Sequence, residues 1–302
     1  MEGYLDFVVP GVDAPCKTWY KVFGDLKASA RPLVVLHGGP GIIHDYLLPL
    51  TDLTSLYSIP VIFYDQIGSG KSTRLPEKNA DAPFWTEELF LAQLKELLEH
   101  LGIQNSFDLL GHSWGGMLGA RFATSHPAGL KRLVIASAPA TMNLWVEAAN
   151  HLRAQLPPDV QAVLDKHEAD GTTEAKEYHD AVAVYYSRHL CRLDPTPKEI
   201  VEVFEALQAN PGVYMTMLGP SEFNVTGSLK DWSILEDISK INVPTLLLNG
   251  VYDEAQDNVI APFFRSIQKV KWFTFAASSH MAQYEEREKY MQVVGRFLVD
   301  EL

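Results

Sequence analysis

Short apolar runs alternate with amphipathic stretches along most of this chain. Leu33–Leu36 and Val61–Tyr64 have the length and the apolarity of strands that are buried on both faces. Between them and the next apolar runs, residues 87–101 carry leucines at helical spacing, and Gly102 follows the last of these leucines. Strands that alternate with helices in this way predict a mostly parallel sheet flanked by helices.

Further apolar runs extend the strand pattern on both sides of a long helical region. The other strand candidates are residues 4–9, 17–23, 107–110, 133–136, 244–248 and 270–275. From about residue 139 the pattern changes to helices without strands, and strand patterning returns near residue 243. We therefore predict an α/β core formed by residues 1–138 and 237–302, with a helical cap of residues 139–236 inserted after the sixth strand.

One helix of the predicted cap has a distinct start signal. Thr196, Pro197 and Glu199 form a capping box with proline at the first helical position. Ile200, Val203, Phe204 and Leu207 then follow at helical spacing and mark one apolar face.

The sequence GHSWGG at residues 111–116 lies between a strand candidate and a helix-like run. It contains the G-x-S-x-G pattern of a nucleophile elbow, in which a strained turn exposes a serine hydroxyl. Ser113 is the candidate nucleophile, and Gly111 and Gly115 remove the side chains that would clash across the turn. For His112 we expect a packing role.

A serine hydroxyl is a weak nucleophile at neutral pH, so the elbow requires a base and a group that orients the base. In chains with this elbow the partners follow in the order serine, acid, histidine. Asp253 follows the apolar run 244–248, and His280 ends a loop of small residues after Val270–Phe275. We predict Asp253 as the orienting acid and His280 as the base.

The sequence HGGPG at residues 37–41 directly follows the strand candidate Leu33–Leu36. Its glycines allow backbone N–H groups to point into a cavity, where elbow hydrolases place half of the oxyanion hole. The other half is the N–H of the residue after the nucleophile. We therefore predict Gly39 and Trp114 as oxyanion donors.

Composition narrows the classes of partner. The formal net charge of −13 argues against nucleic acid and anionic membrane surfaces. The chain contains no apolar run of membrane-spanning length and no basic region followed by an apolar core at residues 1–10, so we expect a cytoplasmic protein without membrane association. No metal-ligand spacing or dinucleotide fingerprint is present, so we expect no metal and no cofactor. Oligomeric state stays open.

Several motifs together resemble the proline iminopeptidase family of α/β-hydrolases, and in particular its tricorn-interacting aminopeptidase and L-amino-acid amidase branch. They are HGGPG at 37–41, YDQ at 64–66 with GSG at 68–70, the elbow with Trp114, and GPSEF at 219–223. The resemblance covers nearly the whole chain. It implies an α/β-hydrolase fold and hydrolysis of the bond after an unblocked N-terminal residue, often proline, or of an amino-acid amide.

The resemblance also implies residues that recognise the substrate. Members of the family read the free α-amine with acidic side chains, and the matching positions are Glu222 and Glu254, with Tyr214 lining the same pocket. Glu222 could instead be a solvated cap residue, and Glu254 a carboxylate that a helix N-terminus stabilises. Ile67 stands where many relatives carry arginine, which puts the preference for proline in doubt.

Two other functions fit parts of the same pattern. The triad could serve an esterase or lactonase that acts on a small metabolite without an α-amine, because the same catalytic groups cleave esters. A receptor that binds a ligand without turnover would keep the pocket but would not need Ser113. We expect a small-molecule or short-peptide substrate with a free α-amine.

Overall fold

The computed structural model describes residues 1–302 and contains one eight-stranded sheet. The strands are β1 (Glu2–Phe7), β2 (Cys16–Phe23), β3 (Leu33–Leu36), β4 (Val61–Tyr64), β5 (Phe107–His112), β6 (Leu130–Ala136), β7 (Thr245–Gly250) and β8 (Val270–Phe275). Their order across the sheet is β1-β2-β4-β3-β5-β6-β7-β8. The pairs β1/β2 and β2/β4 are antiparallel and all other pairs are parallel, which confirms the predicted mostly parallel sheet.

Eleven α-helices accompany the sheet. They are α1 (Asp52–Tyr57), α2 (Glu87–His100), α3 (Trp114–Thr124), α4 (Met142–Arg153), α5 (Pro158–Asp170), α6 (Lys176–His189), α7 (Lys198–Ala209), α8 (Gly212–Met217), α9 (Asp257–Ser266), α10 (Ala282–Glu285) and α11 (Arg287–Leu298). Helices α4–α8 all lie between β6 and β7, which confirms a helical insertion after the sixth strand. The domain boundaries at 138/139 and 236/237 stay predictions.

The predicted capping box before α7 is wrong. The helix begins at Lys198, and Pro197 precedes it with φ −54° and ψ 140°. The ring of proline fixes φ at a value that suits both a helix and an extended chain, and here the extended ψ places Pro197 outside the helix. No side chain caps the helix, because Thr196 is then one residue too far from its start.

Alternating side chains of the central strands are buried on opposite faces of the sheet. In β3, Val34 and Leu36 belong to a cluster of 50 buried residues, whereas Leu33 and Val35 belong to a second cluster of 27. Strands that are buried on both faces need apolar side chains at every position, which explains their uninterrupted runs. None of the helices combines the length and the apolarity that crossing a membrane requires.

Candidate active site

The elbow forms at the carboxyl end of β5, as its sequence predicts. Ser113 has φ 55° and ψ −125°, a backbone conformation that non-glycine residues rarely adopt, and α3 begins at the next residue. A Cβ on Gly115 would overlap the carbonyl oxygen of Leu36, and a Cβ on Gly111 would overlap the backbone of Gly115. The glycines are therefore required by direct backbone contact between the strand, the turn and the helix.

Two cavities meet at Ser113. The His280-side cavity is bounded by Ser113, His280, Glu222 and apolar side chains of α7. The Trp114-side cavity is smaller and is bounded by Ser113, Trp114, Glu222 and apolar residues such as Met142. Ser113, Gly39 and Glu222 line both cavities.

The structure brings Asp253 and His280 together. The Oδ1 atom of Asp253 lies 2.7 Å from Nδ1 of His280, and both residues are buried. The same Oδ1 accepts the backbone N–H of Ala255 at 2.8 Å, which fixes the carboxylate. Ser113 and His280 line one cavity, although no hydrogen bond joins the hydroxyl of Ser113 to Nε2 of His280. Such a contact is often loose in the absence of substrate.

The loop of residues 37–41 packs directly against the elbow. A Cβ on Gly38 would lie 2.9 Å from the hydroxyl oxygen of Tyr46 and 3.1 Å from Cβ of Ser113, so glycine permits this close approach. The N–H of Gly38 donates to the hydroxyl of Tyr46 at 2.8 Å. The N–H of Gly39, where φ is 106°, has no hydrogen-bond partner. Trp114 is the first residue of α3, where a helix leaves its N–H groups unpaired.

Gln66 connects Trp114 to the loop that contains Gly39. Its Oε1 accepts the indole N–H of Trp114 at 2.8 Å, and its Nε2 donates to the carbonyl oxygen of His37 at 2.8 Å. The backbone N–H of Gln66 donates to Nε2 of His37 at 2.9 Å. Burial lowers the pKa of His37 to about 4, so its ring is neutral and accepts this bond. Gln66 thus fixes the loop of Gly39 relative to Trp114.

His112 is buried, as a packing role requires, and it also makes two polar contacts. Its Nδ1 lies 3.0 Å from the hydroxyl of Tyr46, and its Nε2 lies 2.9 Å from the carbonyl oxygen of His280. Tyr46 is a residue of the site that sequence reasoning misses. It belongs to a 3₁₀ segment, His44–Thr51, that carries no recognisable catalytic motif, and only the folded chain brings it to the elbow.

Glu222 faces the two cavities from the cap. Its Oε1 accepts the hydroxyl of Tyr214 at 2.9 Å, and its backbone carbonyl accepts the indole N–H of Trp145 at 2.8 Å. No cationic side chain of the protein forms an ion pair with Glu222. Burial raises the pKa of its carboxyl group from 4.5 to about 7, although the hydrogen bond from Tyr214 opposes this shift.

Glu254 is completely buried beside the predicted base. Its Oε1 lies 3.9 Å from Nδ1 of His280, and neither of its carboxylate oxygens has a hydrogen-bond partner. Burial raises the pKa of Glu254 well above its ordinary value, and the charge of Glu222 raises it further. Glu254 does not line either cavity, so the structure places Glu222 and Tyr214, but not Glu254, on the cavity wall.

Comparisons with known proteins fit this geometry. Residues 31–287 match the family model of the alpha/beta hydrolase fold. The chain is 38% identical over 280 residues to a proline iminopeptidase of Saccharolobus solfataricus, and the match covers 93% of this chain and 88% of that protein. Among solved structures, VinJ has 44% identity and a TM-score of 0.95, covering 100% of this chain and 99% of that one. A proline iminopeptidase of Mycobacterium smegmatis has 42% identity and a TM-score of 0.88, covering 99% and 98%.

Proposed function

Because this chain belongs to the proline iminopeptidase family of α/β-hydrolases, we propose that it cleaves the amide bond after an unblocked N-terminal amino acid. The substrate would be a short peptide or an amino-acid amide, and the nucleophile would be Ser113. One observation carries the proposal: the carboxyl group of Glu222 lies on both cavities that meet at Ser113 and has no cationic partner in the protein.

A substrate ammonium would supply the missing cation. Removing a carboxylate from water is unfavourable unless it is paired and hydrogen-bonded, and Glu222 has only the hydroxyl of Tyr214. A charge-assisted hydrogen bond to an α-ammonium contributes about 1.5–3 kcal/mol. Glu254 is close enough to Glu222 for the charge of Glu222 to raise its pKa, so a substrate ammonium that binds here would favour the ionised form of both carboxyl groups. We assign Glu222 and Tyr214 to direct contact and Glu254 to electrostatic support.

The chemistry would be acyl transfer. His280, oriented by Asp253, takes the proton of the Ser113 hydroxyl as the oxygen attacks the substrate carbonyl carbon. The N–H groups of Gly39 and Trp114 hold the oxyanion that forms. His280 then protonates the leaving amine, and the same base activates the water that hydrolyses the acyl-enzyme.

These roles orient the substrate between the two cavities. The leaving amine receives its proton from His280, so it belongs in the His280-side cavity. The side chain of the N-terminal residue then belongs in the smaller Trp114-side cavity, where Met117, Met142 and Leu229 form an apolar wall. Glu222 lies between the two and would bind the α-amine, which is attached to the carbon between that side chain and the reacting carbonyl.

Paired substrates test the proposal. Steady-state hydrolysis is measured for chromogenic amides of proline, alanine, leucine and phenylalanine, each as the free amine and as the N-acetyl derivative, with simple acyl esters beside them. We expect turnover of the free amines and loss of that turnover on acetylation. Turnover that is indifferent to acetylation, or confined to the esters, would contradict the proposal and favour an esterase or lactonase.

A further inference from the structure

A buried chain of hydrogen bonds joins the loop of Gly38 to the loop of His280. The N–H of Gly38 donates to the hydroxyl oxygen of Tyr46 at 2.8 Å, and this hydroxyl lies 3.0 Å from Nδ1 of His112. The Nε2 of His112 lies 2.9 Å from the carbonyl oxygen of His280. Tyr46 and His112 are each only 1% exposed, so both contacts lie away from bulk solvent.

The acceptors in this chain fix the position of every proton. A carbonyl oxygen can only accept, so the hydrogen of His112 must lie on Nε2 and point to His280. Burial lowers the pKa of His112 to about 3, so the ring is neutral and its Nδ1 accepts. The hydroxyl of Tyr46 therefore donates to His112 while it accepts the N–H of Gly38. One arrangement satisfies all the groups, and it requires both side chains.

We infer that Tyr46 and His112 are positioning residues. They hold the loop of residues 37–41 and the loop of His280 in fixed positions relative to Ser113. The inference rests on the proposed roles of Ser113, His280 and Gly39. His112 immediately precedes Ser113, so its two ring nitrogens link the elbow to both loops at once.

Other contacts explain why this link affects the reacting atoms. His280 is held at its ring by Asp253 and at its backbone N–H by the carbonyl oxygen of His189 at 3.2 Å. His112 adds the third point by binding the carbonyl oxygen. On the opposite side, Tyr46 engages the N–H of Gly38, and the next N–H in the loop, that of Gly39, stays free for the substrate.

Two substitutions test the inference. Tyr46→Phe removes one hydroxyl, and His112→Phe replaces the imidazole by a larger aromatic ring that has no nitrogen atoms. We expect kcat on a free-amine amide to fall about 10- to 100-fold in each, because displacing reacting groups by an ångström costs on the order of 10²-fold. KM should stay near the wild-type value, since neither residue contacts the α-amine. The double variant should be no slower than the slower single variant, because one substitution already breaks the chain.

Tyr64→Phe is the matched control. Tyr64 is a fully buried tyrosine whose hydroxyl has no hydrogen-bond partner. The kcat of Tyr64→Phe should therefore equal that of the wild type. Unchanged kcat in Tyr46→Phe, or additive losses in the double variant, would overturn the inference. A loss confined to KM and to the free energy of unfolding would also overturn it, because that result indicates packing alone. If His112→Phe fails to fold, the kcat of Tyr46→Phe alone tests the inference.

A second readout separates this inference from the proposed substrate. Labelling of the serine by a fluorophosphonate needs an activated nucleophile but no amide and no α-amine. If the wild type is labelled but cleaves no amide, the substrate proposal fails, and labelling rates of the same variants still test the positioning role. We expect those rates to fall by the same factor as kcat, and equal rates in the wild type and both variants would overturn the inference.

Discussion

The elbow region and the pocket around Glu222 differ in how far the protein itself supplies partners for their polar groups. Around Ser113, backbone segments touch so closely that glycine is required, and Gln66, His37 and Tyr46 satisfy the buried polar groups behind it. Around Glu222, carboxyl groups have few partners: Glu222 is half-buried with one hydrogen bond to its carboxyl group, and Glu254 is fully buried with none. The supporting groups of the first region are satisfied without a ligand, whereas the second region lacks a cation.

This difference shows that catalysis and substrate recognition place different requirements on the free protein. Oxyanion donors work because they are aligned before the reaction, so their supports must be satisfied in the free protein. A carboxylate that is to bind an ammonium must stay unpaired until the substrate arrives, and burial then raises its pKa. The second region therefore lowers the stability of the free protein through its buried carboxyl groups, whereas the first does so only through the strained backbone of Ser113.

Removing the nucleophile should have the largest effect. We expect Ser113→Ala to lower kcat on free-amine amides by roughly 10⁴- to 10⁶-fold, because triad members act as a unit. The free energy of unfolding should change little, since the substitution removes one hydroxyl that has no hydrogen-bond partner. Steady-state kinetics and chemical denaturation measure the two quantities. Activity that survives in the purified variant would exclude Ser113 as the nucleophile.

Adding one methyl group to the elbow should break the fold locally. We expect Gly115→Ala to destabilise the protein by roughly 3 kcal/mol or more, because its Cβ would overlap the carbonyl oxygen of Leu36. Gly119→Ala in the same helix is the control, since the nearest atom lies 3.4 Å from its new Cβ. Its stability should stay within about 1 kcal/mol of the wild type, helped by the higher helix propensity of alanine. Equal losses in both variants would show that the close approach at Gly115 is not decisive.

Neutralising Glu222 should affect only substrates that carry an amine. We expect Glu222→Gln to lower kcat/KM on free-amine amides by about 10- to 100-fold, the equivalent of one charge-assisted hydrogen bond. Hydrolysis of an ester without an amine should change by about twofold or less, because the triad and the oxyanion donors are intact. Parallel assays of the same preparation measure the ratio. Equal losses on both substrates would refute the role of Glu222 as an amine anchor.

The sequence predicts the elbow region better than the pocket, for a physical reason. Glycine spacing reports backbone contacts between neighbouring segments, so GHSWGG by itself indicates the turn at Ser113. Asp253 and His280 are predictable because each follows a strand, and the structure places them 2.7 Å apart. Parallel strands bring such residues to one edge of the sheet.

Contacts that only the folded chain creates leave no such signal. Tyr46 meets His112 across 66 residues of sequence, and neither residue type is unusual at its position. The unpaired state of Glu254 depends on burial, which no local pattern reveals. The capping box at Thr196 is wrong because the sequence cannot specify the ψ angle of Pro197.

The stability cost of the pocket should appear as a pH dependence. Burial raises the pKa of Glu222 in the folded protein from 4.5 to about 7, so between these values the folded state retains a proton that the unfolded state has lost. Stability contributed by this group is therefore lost as the pH rises through this window. Glu222→Gln removes the group, so the variant should gain on the order of 2 kcal/mol relative to the wild type between pH 4.5 and pH 7.

The control for this small effect is Glu174→Gln, which removes the same charge from an exposed cap position. Its difference in unfolding free energy from the wild type should stay constant across the same pH range. Urea denaturation at about pH 4.5, 5.5, 6.5 and 7.5 measures all three proteins. A pH-independent difference for Glu222→Gln would mean that Glu222 is not desolvated in the free protein. The contrast between the elbow region and the pocket would then fail, because Glu222 would not destabilise the free protein and a substrate ammonium would have no such destabilisation to offset.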